Sequence, residues 1–511
     1  MVSEINSLGI FGIDAFMVKV ESDISPGLPV FDVVGLPDVA VKESRNRVRS
    51  AINNSGFNFP VGKITINLAP ADIRKEGAIY DLPILLSILI SSGQIRSNVS
   101  SSAFLGELSL SGELCKINGV LPMAIEAKNK GIKNLYVPKE NALEAAIVGG
   151  INVFGVDTVR DLYLHLTNEK LLTSTTSKQD ISLDEDDDPL DFSQVRGQYR
   201  VKRALEIVAA GGHNILLIGP PGSGKSMLAK RLPSILPSMT REESIETTKI
   251  YSVLGKVSNN NCLIVKRPFR APHHTVSPVG LSGGGSIPKP GEVTLAHNGV
   301  LFLDEFPEFT HASLEVLRQP IEDEVVTISR ARGTVTYPCS IILVAAMNPC
   351  PCGYFGDEKR TCICSQRAVS NYLSKISGPL LDRIDMHVDV PAVSFYDLNS
   401  DDEEEKSEYI KQRVETARKI QTERYKNQRF NCNAKITPEA LHKICDLSCN
   451  AEKLLEKAFH KMDLSARAYD KILKISRTIA DLDSSECVEV NHVAEALQYR
   501  SLDKKYWRHR E

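Results

Sequence analysis

The amino-terminal part of the chain consists of short apolar runs separated by Gly and Pro residues. Residues 16–22, 30–37 and 63–70 are rich in β-branched and aromatic residues, which predicts strands. Residues 43–56 have a helical pattern that ends at a glycine. Residues 1–170 are therefore predicted to form a mixed α/β domain.

A second pattern begins near residue 192 and consists of continuous apolar runs. The runs are NILLIG at 214–219, GVLFLDE at 299–305 and SIILVAAMN at 340–348. Runs without polar alternation are typical of strands that are buried on both faces, as in a parallel sheet covered by helices. Residues 192–395 are therefore predicted to form a second α/β domain with a parallel sheet.

The last part of the chain, residues 396–511, is predicted to be mostly helical. Its first helix is long and charged, with an acidic start and a basic end that suit the helix dipole. One stripe of this helix is predicted to face the core, and it carries Tyr409, Ile410, Val414, Ala417 and Ile420.

Composition and charge limit the classes of protein to which the chain can belong. The chain has 511 residues and a formal net charge of -3, which excludes a uniformly basic surface but not a local basic channel. Residues 171–191 run from Ser and Thr into acidic residues and predict a solvated linker, with a DNA-mimicking segment as the alternative. The apolar run at 84–90 is too short to span a membrane. Eleven cysteines without a secretory signal predict a cytoplasmic protein.

One motif predicts a nucleotide site. Residues 219–226 read GPPGSGKS and match the phosphate loop G-x-x-x-x-G-K-[ST] between a predicted strand and a predicted helix. Glycines let backbone N–H groups turn toward phosphate oxygens, and the helix N-terminus adds its dipole. Lys225 would neutralise the β- and γ-phosphates, and the Ser226 hydroxyl would ligate Mg²⁺. The predicted nucleotide-binding residues are Gly219, Pro220, Pro221, Gly222, Ser223, Gly224, Lys225 and Ser226.

Polar residues at the ends of the next two apolar runs predict hydrolysis as well as binding. Asp304 and Glu305 end one run. Asp304 would hold Mg²⁺ through water, and Glu305 would orient and deprotonate the attacking water. Asn348 ends the other run, where its amide would polarise that water or simply begin an Asn-Pro turn.

Two arginines are further candidates for the same chemistry. Arg383 lies in a short turn and would reach the γ-phosphate of a neighbouring subunit as an arginine finger. Arg467 begins a helix and would touch the phosphates of its own or an adjacent site. The alternative for each is a surface arginine, paired with one of the nearby acids Asp382, Asp385 or Asp470.

A cysteine cluster predicts a metal site. Cys350, Cys352, Cys362 and Cys364 form a C-x-C pair followed by a second C-x-C pair. Four thiolates in a short polar loop suit a tetrahedral structural Zn²⁺. Because C-x-C is tighter than the usual C-x₂-C spacing, free or redox-sensitive thiols are the alternative.

These motifs together resemble those of an AAA+ ATPase of the magnesium-chelatase-like branch, and more closely those of the bacterial YifB/ComM family. The resemblance implies a ring-forming, usually hexameric ATPase that uses ATP and Mg²⁺. It also implies that Asn348 is the first sensor, Arg383 the finger and Arg467 the second sensor, with Gln198 near the adenine. Besides the phosphate loop, the matching segments are GLPVFDVVGLPDVAVKESRNRVRSAI (27–52), DFSQVRGQ (191–198), RPFRAPHHT (267–275), GEVTLAHNGVLFLDEFPEF (291–309), AAMNPCPCGYFGD (345–357), SGPLLDRIDMHVDVP (377–391) and SARAYDKILKISRTIADL (465–482).

A basic hairpin is predicted at residues 325–338. Strand-forming residues alternate there around Arg330 and Arg332. The resemblance places such a hairpin in the channel of a ring, where basic tips would contact DNA phosphates without reading bases. It also places the Gly-rich loop 278–292 at the channel. An exposed hairpin with solvated arginines and a flexible connector are the alternatives.

The amino-terminal domain resembles the proteolytic domain of Lon through residues 104–141. Lon uses a serine nucleophile activated by a lysine. The segment that corresponds to the serine, residues 74–83, contains no serine and has Ile79 in that region, and Met123 stands at the position of the lysine. An inactive domain without peptidase activity is therefore predicted.

The whole prediction is an α/β protein with an inactive Lon-protease-like domain (1–170), an acidic linker (171–191), an AAA+ parallel-sheet ATPase domain (192–395) and a helical lid domain (396–511). We expect a hexameric ATPase that acts on single-stranded or branched DNA, as a branch-migration helicase in recombination or natural transformation. The alternatives are an ATPase subunit of a chelatase-like or other protein-remodelling complex, a scaffold with vestigial nucleotide binding, and an ATP-dependent protease.

Overall fold

The computed structural model divides the chain into two compact units. The first comprises Met1–Ser182 with Arg241–Ile264, and the second comprises Leu183–Thr240 with Val265–Glu511. The structure describes residues 2–176, 190–258, 262–285, 288–330, 333–357, 360–393, 403–428, 430–502 and 506–507.

A mixed sheet forms the centre of the first unit. The strands are β1 (Ser3–Phe11), β2 (Asp14–Ser25), β3 (Val30–Val34), β4 (Lys63–Ala69), β5 (Ser102–Phe104), β6 (Glu107–Leu108), β7 (Leu114–Cys115), β8 (Asn134–Pro138) and β9 (Asn152–Val156). Seven of them form one sheet in the order β3-β4-β2-β1-β5-β8-β9, and β6 pairs with β7. The β1–β2 and β2–β4 pairs are antiparallel, and the other pairs of the large sheet are parallel.

Helices cover both faces of this sheet. They are α1 (Val39–Asn54), α2 (Asp81–Ser91), α3 (Val120–Asn129), α4 (Ala142–Ala146) and α5 (Val159–Leu166). Ile5 and Leu8 are an odd number of residues apart on β1, so their side chains point to opposite faces. Ile5 joins a core with α1 and α2, whereas Leu8 joins a core with α3 and α4. The predicted mixed α/β domain is thereby confirmed.

The first unit continues beyond its predicted end at residue 170. Thr175 donates its backbone N–H to the carbonyl oxygen of Val153 on β9, at 2.7 Å. Most of the predicted acidic linker, residues 177–189, lies outside the described residues.

The second unit is built around a parallel sheet. Its strands are β10 (Ile215–Ile218), β11 (Phe269–Arg270), β12 (Gly283–Gly284), β13 (Lys289–Pro290), β14 (Gly299–Leu303), β15 (Val325–Arg330), β16 (Gly333–Pro338), β17 (Ile341–Met347) and β18 (Met386–Asp389). Five of them form one parallel sheet in the order β11-β14-β17-β10-β18. All residues of β10 and β14 are buried, which confirms the parallel sheet that the continuous apolar runs predict.

The remaining helices begin with α6, which precedes the phosphate loop, and continue to the carboxyl-terminal part of the chain. They are α6 (Tyr199–Gly211), α7 (Lys225–Ile235), α8 (Arg241–Val253), α9 (Pro278–Ser282), α10 (Glu292–Leu295), α11 (His311–Glu315), α12 (Arg318–Asp323), α13 (Gln366–Leu373), α14 (Gly378–Leu381), α15 (Ser407–Arg424), α16 (Pro438–Ile444), α17 (Cys449–Met462), α18 (Ala466–Leu482) and α19 (Val490–Gln498). The helices after residue 396 share one continuous core with α6, α7 and the parallel sheet.

Helix α8 belongs to the first unit, although the sequence places it inside the ATPase domain at 192–395. Gly119, which precedes α3, donates its N–H to the carbonyl oxygen of Ser252 at 2.9 Å, and Lys249 pairs with Asp14 at 2.9 Å. The buried face of α8 is mainly Ser and Thr, so its hydrophobic pattern does not reveal this packing.

The predicted stripe of the long charged helix is partly wrong. Ile410, Val414 and Ala417 are buried on α15, but Tyr409 is 55% exposed. Tyr409 precedes Ile410 by one residue, and neighbouring residues of a helix are about 100° apart around its axis. Gln421 completes the buried face instead, and its amide donates to the Ala210 carbonyl at 3.1 Å.

The basic hairpin is present as β15 and β16. The two strands are antiparallel, with Arg330 opposite Gly333 at the tip. Arg330 is exposed, whereas Arg332 lies outside the described residues. Gly283, in the Gly-rich segment, packs against the hairpin, because a Cβ at this residue would meet the Ile328 side chain at 3.0 Å.

Among the described residues, the structure has no helix with both the length and the apolarity of a membrane span.

The carboxyl-terminal helices contain a buried ion cluster whose loss should destabilise the second unit. Asp481 accepts hydrogen bonds from Arg424 (2.6 and 3.0 Å) and Arg477 (3.1 Å). Asp481→Asn leaves two arginines without their counter-charge, and we expect it to lower the free energy of unfolding by about 3–5 kcal/mol.

Urea denaturation followed by circular dichroism measures this effect. The matched control is Lys426→Ala, which breaks an exposed pair with Glu423 and should cost less than about 1 kcal/mol. Equal shifts for the two variants would contradict the structural role of Asp481.

Candidate functional site

The predicted nucleotide-binding residues collect at one edge of the parallel sheet. Residues 219–226 follow β10, Asp304 and Glu305 follow β14, and Asn348 follows β17. Because β17 lies between β14 and β10, the ends of these three strands are adjacent. Ligands of open parallel sheets bind outside the carboxyl ends of the strands, and this edge is such a place.

The phosphate loop holds a buried ammonium group. The Lys225 side chain donates to the carbonyl oxygens of Gly219 (2.8 Å) and Pro220 (2.9 Å) and to Asn348 Oδ1 (3.2 Å). Burial lowers the pKa of Lys225, although the nearby Asp304 carboxylate opposes that shift. An amine surrounded by neutral acceptors is suited to an anion such as a phosphate, which would compensate its charge directly.

The next residue brings a hydroxyl against a carboxylate. Ser226 donates through Oγ to Asp304 Oδ2 at 2.5 Å. The other oxygen of Asp304 accepts from the backbone N–H of Glu305 at 2.9 Å. Hydroxyl and carboxylate oxygens are hard ligands of the kind that Mg²⁺ takes alongside water and substrate phosphates. The residues present therefore fit the metal that the phosphate loop implies.

Glu305 has a partner that sequence reasoning missed. Its backbone is left-handed (φ 53°), and its exposed carboxylate lies 2.9 Å from His274 Nδ1. His274 lies shortly after β11, the strand next to β14. The sequence signal for this contact is the His-His pair in RAPHHT, and that pair does not indicate which residue it contacts.

Gln198 closes the other side of the phosphate loop. Its side-chain amide donates to the Pro391 carbonyl at 2.6 Å and lies 3.4 Å from the Ser223 carbonyl. Its Oε1 atom is buried and has no hydrogen-bond partner among the described residues. A buried acceptor beside the loop suits the amino group of an adenine.

Neither candidate arginine forms a hydrogen bond or ion pair with the phosphate loop among the described residues. Arg383 bonds to Glu322 (Nε to Oε2 3.1 Å) and to the Pro379 carbonyl (2.8 Å). Its neighbour Asp385, a predicted partner, instead pairs with Lys471 at 3.1 Å. Arg467 is exposed at the second position of α18. A residue that acts on the nucleotide of a neighbouring subunit has no need to touch the phosphate loop of its own chain.

The four predicted metal-binding cysteines do come together. Their sulfur atoms all lie within 4.8 Å of one another, and the cysteines are not disulfide-bonded. Cys350 and Cys352 are 3.3 Å apart, and Cys362 lies 3.7 and 3.5 Å from them. The backbone N–H of Tyr354 lowers the pKa of Cys352 to about 6, which favours a thiolate.

The first unit has an apolar contact at the positions that the resemblance assigns to the Lon dyad. Ile79 packs against the hydrophobic cluster that contains Met123. The adjacent Asp81 is held by Arg47 at 2.6 and 3.1 Å, and burial raises the pKa of Asp81. Lys75 is buried with its amine on the carbonyls of Pro70 and Ile73, so it is not a solvent-facing basic group.

Comparison with protein families finds three matches in chain order. Residues 20–141 match "Subunit ChlI of Mg-chelatase", residues 191–398 match "Magnesium chelatase, subunit ChlI", and residues 404–500 match "Magnesium chelatase, subunit ChlI C-terminal". These matches cover both units.

Individual relatives extend over nearly the whole chain. The chain is 43% identical to competence protein ComM of Haemophilus influenzae over 496 residues, which is 96% of each protein. It is 41% identical to the uncharacterized protein YifB of Escherichia coli over 506 residues, which is 98% of each. It is 29% identical to the Lon protease of Borrelia duttonii over 157 residues, or 28% of this chain and 19% of that protease. The chain therefore belongs to the YifB/ComM family of magnesium-chelatase-like AAA+ ATPases.

Proposed function

We propose that this protein is a Mg²⁺-dependent ATP hydrolase that works as a hexameric motor on single-stranded or branched DNA. One observation carries the hydrolase part of the proposal. Lys225, the Ser226–Asp304 pair and Asn348 meet at one sheet edge, with Glu305 directly after Asp304. This set contains a phosphate-binding cation, oxygen ligands for a metal and a general base in adjacent positions.

Binding of ATP replaces contacts that the phosphate loop makes within itself. Lys225 exchanges the carbonyls of Gly219 and Pro220 for oxygens of the β- and γ-phosphates. Ser226 and Asp304 would hold Mg²⁺, which would supply positive charge next to the phosphates. The unpaired Gln198 Oε1 accepts from the adenine amino group.

Hydrolysis requires Glu305 to leave His274 and face the nucleotide. Its carboxylate then takes a proton from water as the water oxygen bonds to the γ-phosphorus and the bond to the β,γ-bridging oxygen breaks. Asn348 orients that water from the end of β17. Arg383 of a neighbouring subunit stabilises the developing charge on the γ-phosphate, and Arg467 contacts the phosphates as second sensor.

The DNA part of the proposal rests on the hairpin and on one relative. The hairpin forms its own two-stranded sheet, and its tip presents the exposed Arg330. Contacts between basic side chains and DNA phosphates bind DNA without sequence preference, as a translocating motor requires. The relative from Haemophilus influenzae is a competence protein, which supports a role in natural transformation.

The four-cysteine loop is proposed to bind one structural Zn²⁺. Zinc bound tetrahedrally at about 2.3 Å from each sulfur places the sulfurs about 3.8 Å apart. The closest sulfur–sulfur distances of 3.3–3.7 Å are near this value.

The first unit is proposed to lack peptidase activity, because the contact between Ile79 and the Met123 cluster provides neither a nucleophile nor a base.

Lys225→Ala should abolish nucleotide binding at micromolar concentrations. Truncating one member of a charge-assisted contact costs about 2–5 kcal/mol, or about thirtyfold or more in affinity. Titration with a fluorescent ATP analogue measures this. Lys230→Ala, an exposed lysine on the same helix, is the control and should bind as the wild type does. Wild-type affinity in Lys225→Ala would refute the assignment of the phosphate loop.

Glu305→Gln should keep ATP binding but lower turnover by about 10²–10⁴-fold, because the variant has lost the general base. Steady-state hydrolysis with and without single-stranded or four-way branched DNA is the measurement. Glu308→Gln, an exposed glutamate three residues later, should retain turnover. DNA should raise the wild-type rate. A hydrolysis rate that is the same with and without each DNA would instead favour a role in a protein-remodelling or metal-insertion complex.

Arg330→Ala should weaken DNA binding and reduce its dependence on salt. Each lost phosphate contact lowers the slope of log affinity against log salt by about 1. Fluorescence anisotropy of labelled single-stranded DNA at several salt concentrations tests this. Thr327→Ala on the same hairpin is the control. An unchanged slope of log affinity against log salt concentration would show that DNA does not contact Arg330.

A further inference from the structure

The chain from Asn348 to Gly353 contacts the phosphate loop at two points. At the first, the Asn348 side chain accepts from the Lys225 amine at 3.2 Å. At the second, Gly353 packs against Pro221 so closely that a Cβ at residue 353 would lie 2.3 Å from Pro221 Cδ. These contacts lie on either side of the residue pair Cys350 and Cys352.

Two of the four clustered cysteines therefore sit on the segment that touches the phosphate loop. Gly353 donates its N–H to the Cys350 carbonyl at 3.0 Å, and its backbone is left-handed (φ 87°). The position of Gly353 against Pro221 thus depends on the turn that begins at Cys350.

The other two cysteines approach from a later part of the loop. The Cys362 sulfur lies 3.7 Å from that of Cys350 and 3.5 Å from that of Cys352. A metal ion bound by all four sulfurs would tie residues 362–364 to residues 350–352. Without it, no bond joins residues 362–364 to residues 350–352, and the turn is less constrained.

We propose that metal occupancy of the four-cysteine loop sets the affinity of the phosphate loop for nucleotide. This inference rests on the proposed ATP binding and extends it to regulation of the same site. The bound metal fixes the turn at Cys350–Gly353, and the turn fixes Pro221 and the Asn348–Lys225 contact. A loop that is already ordered loses less conformational entropy when it binds phosphates, so its affinity is higher.

The coupling must also act in the reverse direction. If the metal raises the affinity for ATP by a given factor, ATP raises the affinity for the metal by the same factor. This reciprocity allows a test in the wild-type protein, without any substitution.

The first experiment compares three variants of the full chain. Zinc content is measured by mass spectrometry, and the dissociation constant is measured with a fluorescent ATP analogue. Cys362→Ser removes a metal ligand that is remote in sequence from the phosphate-loop contacts. Gly353→Ala keeps all four thiols but disturbs the contact with Pro221. Cys449→Ser, an exposed thiol on α17, is the control.

We expect Cys362→Ser to lose zinc and to bind the analogue about tenfold more weakly. Gly353→Ala should keep zinc and also bind more weakly, whereas Cys449→Ser should change neither property. Loss of zinc with unchanged nucleotide affinity would overturn the proposal, as would a wild-type protein that binds no zinc. A wild-type protein that does not bind the analogue at all would instead refute the proposed function.

The second experiment covers the case in which Cys362→Ser does not fold. Zinc affinity of the wild-type protein is measured by competition with a chromogenic chelator, with and without the ATP analogue. We expect the ATP analogue to lower the dissociation constant for zinc by about the same factor by which zinc lowers the dissociation constant for the analogue. Equal zinc affinity in the two conditions would overturn the proposal.

Discussion

The proposed chemistry of this protein depends on one buried ammonium group. Lys225 lies at the start of α7, and its charge is met by the carbonyl dipoles of Gly219 and Pro220 and by the Asn348 amide oxygen. These acceptors are neutral, and the nearby Asp304 carboxylate offsets the charge of Lys225 only in part, because burial still lowers the pKa of Lys225. In the proposed function, a phosphate supplies a direct counter-ion. The phosphate loop, the Ser226–Asp304 pair and the end of β17 are arranged around this position.

The parallel sheet explains why distant residues share the site. Asp304 and Asn348 follow different strands, and both reach the phosphate loop because β14, β17 and β10 are neighbours with the same direction. The hairpin and the cysteine loop are further insertions between or after these strands. Segments at this edge reach the phosphate loop through short contacts, as Asn348 does with Lys225 and Gly353 with Pro221.

The sequence was sufficient for the features that depend on local pattern. The buried strands were recognisable because they are continuous apolar runs, and the phosphate loop because its motif is complete. Contacts between remote side chains were not recognisable. The His274–Glu305 pair and the Arg383–Glu322 pair belong to no motif with a characteristic sequence spacing. The sequence therefore does not predict these contacts. The packing of helix α8 with the first unit was not recognisable either, because Ser and Thr, rather than apolar residues, form its buried face.

Movement of DNA by ATP hydrolysis is the central claim, and branch migration of a labelled four-way junction tests it most directly. The purified wild-type protein would be mixed with the junction and either ATP or a non-hydrolysable analogue, and the products separated by native electrophoresis. The account predicts migrated products with ATP and Mg²⁺ and none with the analogue. Rapid ATP hydrolysis with an unchanged junction, or equal products with the analogue, would contradict it.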